Sequence, residues 1–257
     1  MEADTLSSEK VVQALKGFVP VRLNHVLEAG TARKYGVQQV PATLILASQG
    51  ELLALIEGDF TPDRYVERLQ EVIEDDRRLR AGQVTLQTSP DDLRANFDVG
   101  SVLRLRGDYA KAIPLLLKAL RLDERNVNDL AAEANLHLAY ANLRKGDLAA
   151  SRRHCAQIGA LDPDDKHGYR DDALFIACEL ALRGKDWKGA ETMMTGFLKD
   201  LPQSEYAPHV YVYLGMTYLK MDDKARALET FKKGVELHPV SYWSLYARNN
   251  LIPPLEK

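Results

Sequence analysis

Apolar residues recur with the 3.6-residue period of an α-helix from about residue 93 onward, and turn residues interrupt the pattern at regular intervals. Each interruption separates an upstream amphipathic segment from a downstream one. The interruptions are Gly107-Asp108-Tyr109, Gly146-Asp147-Leu148, Gly184-Lys185-Asp186-Trp187 and Met221-Asp222-Asp223-Lys224. The pattern predicts four helix hairpins in series.

Small residues occupy matching positions in these predicted hairpins. They are Gly100, Ala139, Ala177 and Gly215 in the first helices, and Ala112, Ser151, Ala190 and Ala227 in the second helices. Small side chains at both sites let the two helices approach closely and pack ridge into groove. Proline, which cannot continue a helix, stops three of the second helices at Pro163, Pro202 and Pro239, whereas the first hairpin has Glu124 there.

The fourth unit, YVYLGMTYLKMDDKARALETFKKGVELHP, resembles the tetratricopeptide repeat. The resemblance implies a mostly α chain whose main part is a right-handed α–α solenoid of about four hairpins. The units begin near Leu93, Ala132, Arg170 and Pro208, at spacings of 39, 38 and 38 residues against the usual ~34. We expect the extra residues in the turns between hairpins, and SYWSLYARNNLI as a capping helix.

The N-terminal third has a different pattern of apolar residues, in which predicted strands alternate with helices. A helix is predicted from about Ser7 to Leu15, a strand at FVPVRL, a short helix at 29–35, paired strands at TLILAS and LLALIEG, and a helix from Pro62 to about Asp76. Strands alternating with helices favour a small α/β domain. We therefore expect this domain at residues 1–80, a linker at 81–92 and the solenoid at 93–257.

The run KYGVQQVPATLILASQGELLALIEG resembles the second half of the thioredoxin fold. The resemblance implies a cis-proline loop at Val40, Pro41 and Ala42, and a hairpin turned by Gly50. Redox members of that family need a CxxC at a helix start, and this sequence has no cysteine before Cys155. The resemblance also implies that the central strand of the sheet is missing. Residues upstream, a rearrangement, or pairing with another chain would then complete the sheet, which makes self-association through this domain an expectation.

Charge and composition narrow the function classes. The net charge is -3 with mixed signs, which gives no footprint for nucleic acid, and no apolar run is long enough to span a bilayer. The acidic, polar start MEADTLSSEK lacks the pattern of a signal peptide, so a cytoplasmic location is expected. The six histidines and two cysteines lack metal-ligand or CxxC spacing, so no metal, cofactor or catalytic residue is predicted.

The resemblance to the tetratricopeptide repeat also implies that one side of each first helix lines a concave groove for a protein or peptide. The predicted groove residues are Arg94, Phe97, Arg104, Glu133, Leu136, Tyr140, Leu174, Cys178, Val212, Met216 and Lys220, with Phe97 and Tyr140 as anchors.

The function hypothesis is a non-enzymatic interaction module, an adaptor or a holdase-type chaperone for unfolded clients, similar to bacterial thioredoxin-like/tetratricopeptide fusions. The alternative is a thiol–disulfide oxidoreductase or redox-linked chaperone whose CxxC lies upstream of Met1.

Overall fold

The computed structural model describes residues 5–37, 40–58 and 60–256. Its chain divides into two compact units, residues 1–108 and 109–257. The expected division differs from this one, because helix 62–88 runs through most of the segment 81–92 that was expected to be a linker. The long helix therefore extends twelve residues beyond its predicted end at Asp76.

In its described residues, the first unit contains a two-stranded antiparallel sheet and four α-helices. Its elements are α1 (Glu9–Ala14), a 3-10 turn (Leu15–Gly17), α2 (Ala29–Lys34), β1 (Ala42–Leu46), β2 (Leu52–Glu57), α3 (Pro62–Thr88) and α4 (Leu93–Leu105). Val11, Ile45, Ile56, Tyr65 and Leu69 form its N-terminal core. One residue of each strand and one stripe of α3 thus bury the same apolar cluster.

The β1–β2 hairpin closes over residues 47–51. The backbone N–H of Gly50 donates to the carbonyl of Ala47 at 2.9 Å, and Gly50 has a φ of 81°, where a Cβ is unfavourable. The Val40–Pro41 peptide bond is cis. Gln38 and Gln39, within the run that resembles thioredoxin, lie outside the described residues.

The predicted strand FVPVRL is wrong, because the structure has no strand at residues 18–23. Val19, Val21 and Leu23 are 90%, 73% and 51% exposed. A strand is stable only where neighbouring backbone pairs with it and its side chains are covered. Among the described residues β1 pairs only with β2, and Pro20 has no N–H to donate. The described sheet is therefore a hairpin, and the α/β thioredoxin-like arrangement is not seen in it.

Helices α3 and α4 pack closely against each other. A Cβ at Gly82 would lie 2.6 Å from Cγ2 of Val99, so glycine sets the distance between the helices. Arg78 Nη2 lies 2.6 Å from Asp98 Oδ1, and the half-buried Arg106 pairs with Asp76 at 2.7 Å. These ion pairs link the middle of the long helix to the helix that follows it.

The second unit is built from consecutive helices that each pack on the next. They are α5 (Tyr109–Leu122), α6 (Ala131–Lys145), α7 (Leu148–Leu161), α8 (Arg170–Arg183), α9 (Trp187–Asp200), α10 (Ala207–Lys220), α11 (Lys224–Leu237) and α12 (Tyr242–Tyr246). The first helices also contact one another, α6 with α8 and α8 with α10. The helices are separated at the predicted turns, and α7, α9 and α11 each end two residues before a proline.

An aspartate begins three of the second helices. The side chains of Asp147, Asp186 and Asp223 accept hydrogen bonds from the backbone N–H groups three residues later at 2.9, 2.9 and 3.0 Å. These bonds satisfy amides that have no partner within the helix. The residue before each aspartate has a left-handed backbone conformation, with φ of 84° at Gly146, 58° at Lys185 and 60° at Asp222.

Small residues make the close contacts inside the hairpins. Ser151 Oγ donates to the backbone carbonyl of Ala139 at 2.7 Å, which joins two of the predicted small positions. A Cβ at Gly215 would lie 2.3 Å from Cε1 of Phe231. Ala112, Ala190 and Ala227 are fully buried. The predicted register of these positions therefore places them at helix–helix contacts.

Two loops between hairpins share one structure. Asp123 accepts from the backbone N–H groups of residues 127 and 128 at 2.8 and 2.9 Å, and Asp162 accepts from those of 166 and 167 at 2.8 and 2.9 Å. The loops contact each other through Asp129, which lies 3.1 Å from Lys166 Nζ and 3.0 Å from His167 Nε2. The extra residues of the long repeat thus form ordered, mutually supported turns.

The predicted capping segment covers the end of the second unit. It forms α12, a π-helical turn at Ala247–Leu251 and a 3-10 turn at Pro253–Leu255. Ala247 and Ile252 are buried in the same apolar cluster as Leu214 and Phe231 of the last hairpin. This burial shields the last hairpin from water.

Candidate functional site

The first helices of the second unit bring polar and aromatic side chains together. We call the surface formed by α6, α8 and α10 the first-helix face. It carries Tyr140, Arg144, Phe175, Glu179, Arg183, His209 and Tyr213. Contacts between side chains on successive helices define this face.

Glu179 is the central group of the face. Its side chain is only 7% exposed, Oε1 accepts from the hydroxyl of Tyr213 at 2.9 Å, and Oε2 lies 3.4 Å from Arg144 Nη2. A buried carboxylate needs such partners to offset its lost hydration. Glu179 therefore ties three successive first helices together.

The pKa values of its neighbours reflect this pairing. Burial, and after it Glu179, raises the pKa of the Tyr213 hydroxyl above its ordinary value. Burial opposes the charge on Arg144, but Glu179 and Tyr140 outweigh it and raise the pKa of that guanidinium. Arg144 is therefore positive and Tyr213 neutral at physiological pH.

Arg144 contacts Glu179, and a second arginine, Arg183, lies one helical turn after Glu179 on α8. The guanidinium of Arg144 sits 4.6 Å from the ring centroid of Tyr140, and Tyr140 in turn meets the ring of Tyr109 edge-on at 6.3 Å. Arg183 Nη1 donates to the backbone carbonyl of Leu143 at 3.1 Å, directly before Arg144 in the chain. Both arginines are in the last turn of a helix, where the helix dipole favours a cation.

An aromatic stack continues the face toward the C-terminal cap. The ring of His209 lies 3.6 Å from that of Trp243 in a parallel stack and 4.1 Å from that of Tyr213. Phe175 stacks on Tyr206 at 4.5 Å. Burial, and after it the nearby Arg144, lowers the pKa of His209 to about 4. His209 is thus a neutral ring at physiological pH and packs as an aromatic group.

The structure separates the predicted groove residues into three groups. Cys178 and Val212 are 1% and 3% exposed in the apolar core, so they are unavailable to a partner and this part of the prediction is corrected. On α4 of the first unit, Phe97 is 1% exposed, which excludes it as an anchor, while Arg94 pairs with Asp98 at 3.0 Å.

The remaining predicted residues are accessible to different degrees. Met216 is 42% exposed and Lys220 is exposed, whereas Glu133, Leu136, Tyr140, Leu174 and Arg104 are half-buried. Leu136 and Tyr140 pack on a cluster formed by Ala139, Leu143, Ile176 and Leu180. Tyr140 is the predicted anchor that lies at the centre of the first-helix face.

Sequence reasoning missed Arg144, Phe175, Glu179 and Tyr213 through a small error of register. One residue rotates a helical position by about 100°. The prediction placed Leu174 and Cys178 at the surface, whereas the neighbouring pair Phe175 and Glu179 contacts α10. Their four-residue spacing, shared with Tyr140–Arg144 and His209–Tyr213, was the available signal.

The two cysteines are poor nucleophiles. Burial raises the pKa of Cys155 to about 11 and that of Cys178 to about 12. Cys155 Sγ also donates to the carbonyl of Ala173 at 3.3 Å. Because the thiolate is the reactive form, neither group is suited to disulfide exchange at neutral pH.

The described part of the chain has neither a membrane-spanning helix nor a metal-binding cluster. No helix in it combines the length and apolar character needed to cross a bilayer. No cluster of three or more histidine, cysteine, aspartate or glutamate side chains suited to a metal ion occurs among the same residues.

Known proteins share the helical architecture. Family profiles described as tetratricopeptide repeat match residues 67–127 and 208–240. The fold is similar to that of YrrB, described as "a TPR protein with an unusual peptide-binding site", at 18% identity and a TM-score of 0.54, covering 74% of this chain and 92% of that one.

Two solved structures of MamA give the same result. MamA from Desulfovibrio magneticus RS-1 matches at 18% identity and a TM-score of 0.55, over 68% of this chain and 92% of that one. A second MamA structure matches at 20% identity and 0.53, over 72% and 97%. At these identities the likeness concerns the fold. The chain is therefore a mostly helical protein in which residues 67–127 and 208–240 match tetratricopeptide repeats.

Proposed function

We propose that this protein is an adaptor that holds a peptide segment of a partner protein on the first-helix face. The observation that carries the proposal is a group in which the buried Glu179 of α8 joins the partly exposed Tyr140 and Arg144 of α6 and Tyr213 of α10. Aromatic and arginine side chains are enriched among residues that dominate protein–protein binding. The peptide-binding description of YrrB supports the same assignment.

An adaptor is favoured over a holdase-type chaperone for unfolded clients. Charged groups fixed by hydrogen bonds impose a cost on any partner that leaves them unpaired, so they favour selected sequences. A surface that accepts many unfolded chains is instead expected to be broadly apolar and adaptable. Arg144, Glu179 and Tyr213 are held in a defined arrangement. The oxidoreductase alternative gains no support from Cys155 or Cys178, whose thiols are protonated at neutral pH.

Selection of peptides from a random phage-displayed library, followed by titration in solution, tests this proposal. Both tryptophans lie in the second unit, so a Trp187→Phe variant leaves Trp243, which stacks on His209, as a local fluorescence reporter. We expect selected peptides to change its emission and to bind at least about tenfold more weakly to Tyr140→Ala. Met193→Ala, at a 48% exposed methionine on α9, is the control.

Three results would contradict the proposal. They are the absence of any selected peptide that binds in solution, equal binding to the Tyr140→Ala variant, and suppression of aggregation of many unfolded proteins without sequence preference. The last result would favour the holdase.

A second candidate function, self-association through the first unit, is supported by the exposed segment 19–27. Val19, Val21 and Leu23 are exposed side chains outside any helix or strand, and β1 pairs only with β2 among the described residues. Unpaired edges and exposed apolar side chains are templates for strand addition. We propose that a second copy of the chain pairs with this segment.

Light scattering over a roughly hundredfold range of concentration tests self-association. We expect the mass to rise with concentration and Val21→Lys to reduce the rise. Val240→Lys, at an 88% exposed valine of the second unit, should not reduce it. A monomer across the whole range would exclude this function.

A further inference from the structure

We infer that the first-helix face recognises the side-chain carboxylate of an aspartate or glutamate in the partner peptide, through Arg144 and Arg183. This inference rests on the proposed function, since it names the chemistry of the peptide that the same face would bind. It follows from the position, charge and free donors of these two arginines.

The two guanidinium groups come from successive first helices and lie close together. Arg183 on α8 donates to the carbonyl of Leu143 on α6, and Arg144 follows Leu143 directly. The guanidinium of Arg144 lies 3.4 Å from the carboxylate of Glu179, and Arg183 is one helical turn after Glu179 on α8. Both arginines also lower the pKa of the Tyr213 hydroxyl, against the effects of burial and Glu179. Two cations therefore converge on one part of the face.

The local charge is not balanced. Arg144 and Arg183 contribute two positive charges, and Glu179 contributes one negative charge whose two oxygens are already engaged by Tyr213 and Arg144. One positive charge is left without a counter-charge in this group. An anionic ligand group would supply it, and a carboxylate matches the planar fork of a guanidinium.

The arginines are also accessible and have donors to spare. The side chain of Arg144 is 30% exposed, and Arg183 is exposed. A guanidinium has five N–H donors. Among the described residues, Arg183 donates only to Leu143, and Arg144 contacts Glu179 and Tyr140. A ligand carboxylate can therefore bind without breaking the bonds that hold Glu179.

The surroundings predict the residue beside that carboxylate. The ring of Tyr140 lies under Arg144 and meets Tyr109 edge-on. An apolar or aromatic side chain of the peptide would cover these rings and exclude water, and a charge pair shielded from water is stronger than an exposed one. The favoured ligand is thus an internal acidic residue flanked by aromatic or large apolar residues.

Fluorescence anisotropy of the full chain with defined peptides tests the inference. The first probe is a fluorescein-labelled, C-terminally amidated peptide in which three phenylalanines alternate with three glutamates. The second has glutamine in place of glutamate, and the third is the glutamine peptide with a free C-terminal carboxylate. We expect the glutamate peptide to bind about tenfold or more tightly than the amidated glutamine peptide, with an affinity that falls as salt rises.

Variants assign the effect to the arginines. Arg144→Gln and Arg183→Gln are each expected to weaken the glutamate peptide about tenfold and to change the glutamine peptide less than about twofold. Lys145→Gln, at the exposed basic residue next to Arg144, is the matched control and should leave both affinities unchanged. Thermal melting shows whether Arg144→Gln lowers the stability of the chain. If it does, Arg183→Gln serves as the second test, because it removes only one hydrogen bond to a backbone carbonyl.

Each remaining result overturns the inference. Equal affinity for the glutamate and glutamine peptides would show that the arginines do not bind a carboxylate. A loss of affinity in Lys145→Gln as large as that in the arginine variants would show the same. Tighter binding of the third peptide than the first would assign the site to a chain terminus. In these cases peptides selected from the library still bind the face, and the proposed function stands. If neither selected nor designed peptides bind, the proposed function fails as well.

Discussion

Gly215 and Phe231 offer a quantitative test of how the last hairpin packs. Gly215 is in the interior of α10, and a Cβ there would lie 2.3, 2.6 and 2.7 Å from three ring atoms of the buried Phe231. Such distances are far below van der Waals contact, so the ring must move. Overpacking of this kind costs roughly 1–3 kcal/mol.

Helix propensity acts in the opposite direction. Alanine is more stable than glycine in a helix interior by about 1 kcal/mol. We expect Gly215→Ala to lower the free energy of unfolding of the second unit by roughly 0–2 kcal/mol, and Gly215→Leu by more. Gly196→Ala in α9 is the matched control, because nothing lies within 4 Å of its added Cβ, and it should raise stability by up to about 1 kcal/mol.

A double-mutant cycle separates the two effects. Leucine at position 231 lacks the ring atoms that the new Cβ would meet, so Gly215→Ala in a Phe231→Leu background should become neutral or stabilising. The expected coupling energy is about 1–3 kcal/mol. Urea unfolding followed by tryptophan fluorescence measures it, since both tryptophans are in the second unit. If Gly215→Ala stabilises the wild-type background as much as Gly196→Ala stabilises it, the packing argument is refuted.

Three further predictions concern other parts of the second unit. Lys185→Gly should raise the free energy of unfolding, measured in urea, by about 0.5 kcal/mol, because relief of the left-handed φ of 58° outweighs the added freedom of the unfolded chain. A lower free energy of unfolding would mean that the turn tolerates lysine without strain. The pKa values of Asp129 and Asp162 are lowered in the folded state, so their contribution to folding stability is complete above about pH 5 and is lost as the pH falls through those lowered values. Acid unfolding of the Asp129→Asn/Asp162→Asn variant should therefore depend less on pH than that of the wild type. Identical unfolding curves would contradict this assignment. Cys155 and Cys178, with pKa values of about 11 and 12, should react with a thiol reagent at pH 8 only after unfolding, and the chain should not reduce insulin disulfides; rapid reaction of the native protein would show that these helices open.

Local chemistry in the sequence determined most of the repeat architecture. The helix period, the turns that contain aspartate and the prolines after α7, α9 and α11 are signals that act within a few residues, and the structure has helices separated where they predicted. Asp147, Asp186 and Asp223 begin helices through bonds to amides three residues away. Such interactions need no knowledge of distant parts of the chain.

Tertiary contacts decided the remainder. FVPVRL has the composition of a strand, but a strand also requires a partner for its backbone, and residues 18–23 have none among the described residues. The first-helix face depends on which side of α8 meets α10, and an error of one residue exchanged Glu179 for Cys178. Glu179 contacts Arg144 and Tyr213, each about 35 residues away in the chain, and a helical period specifies a face of one helix without specifying its neighbours. The repeats could therefore be predicted from the sequence, whereas the charge pairing that defines the candidate site required the packed structure.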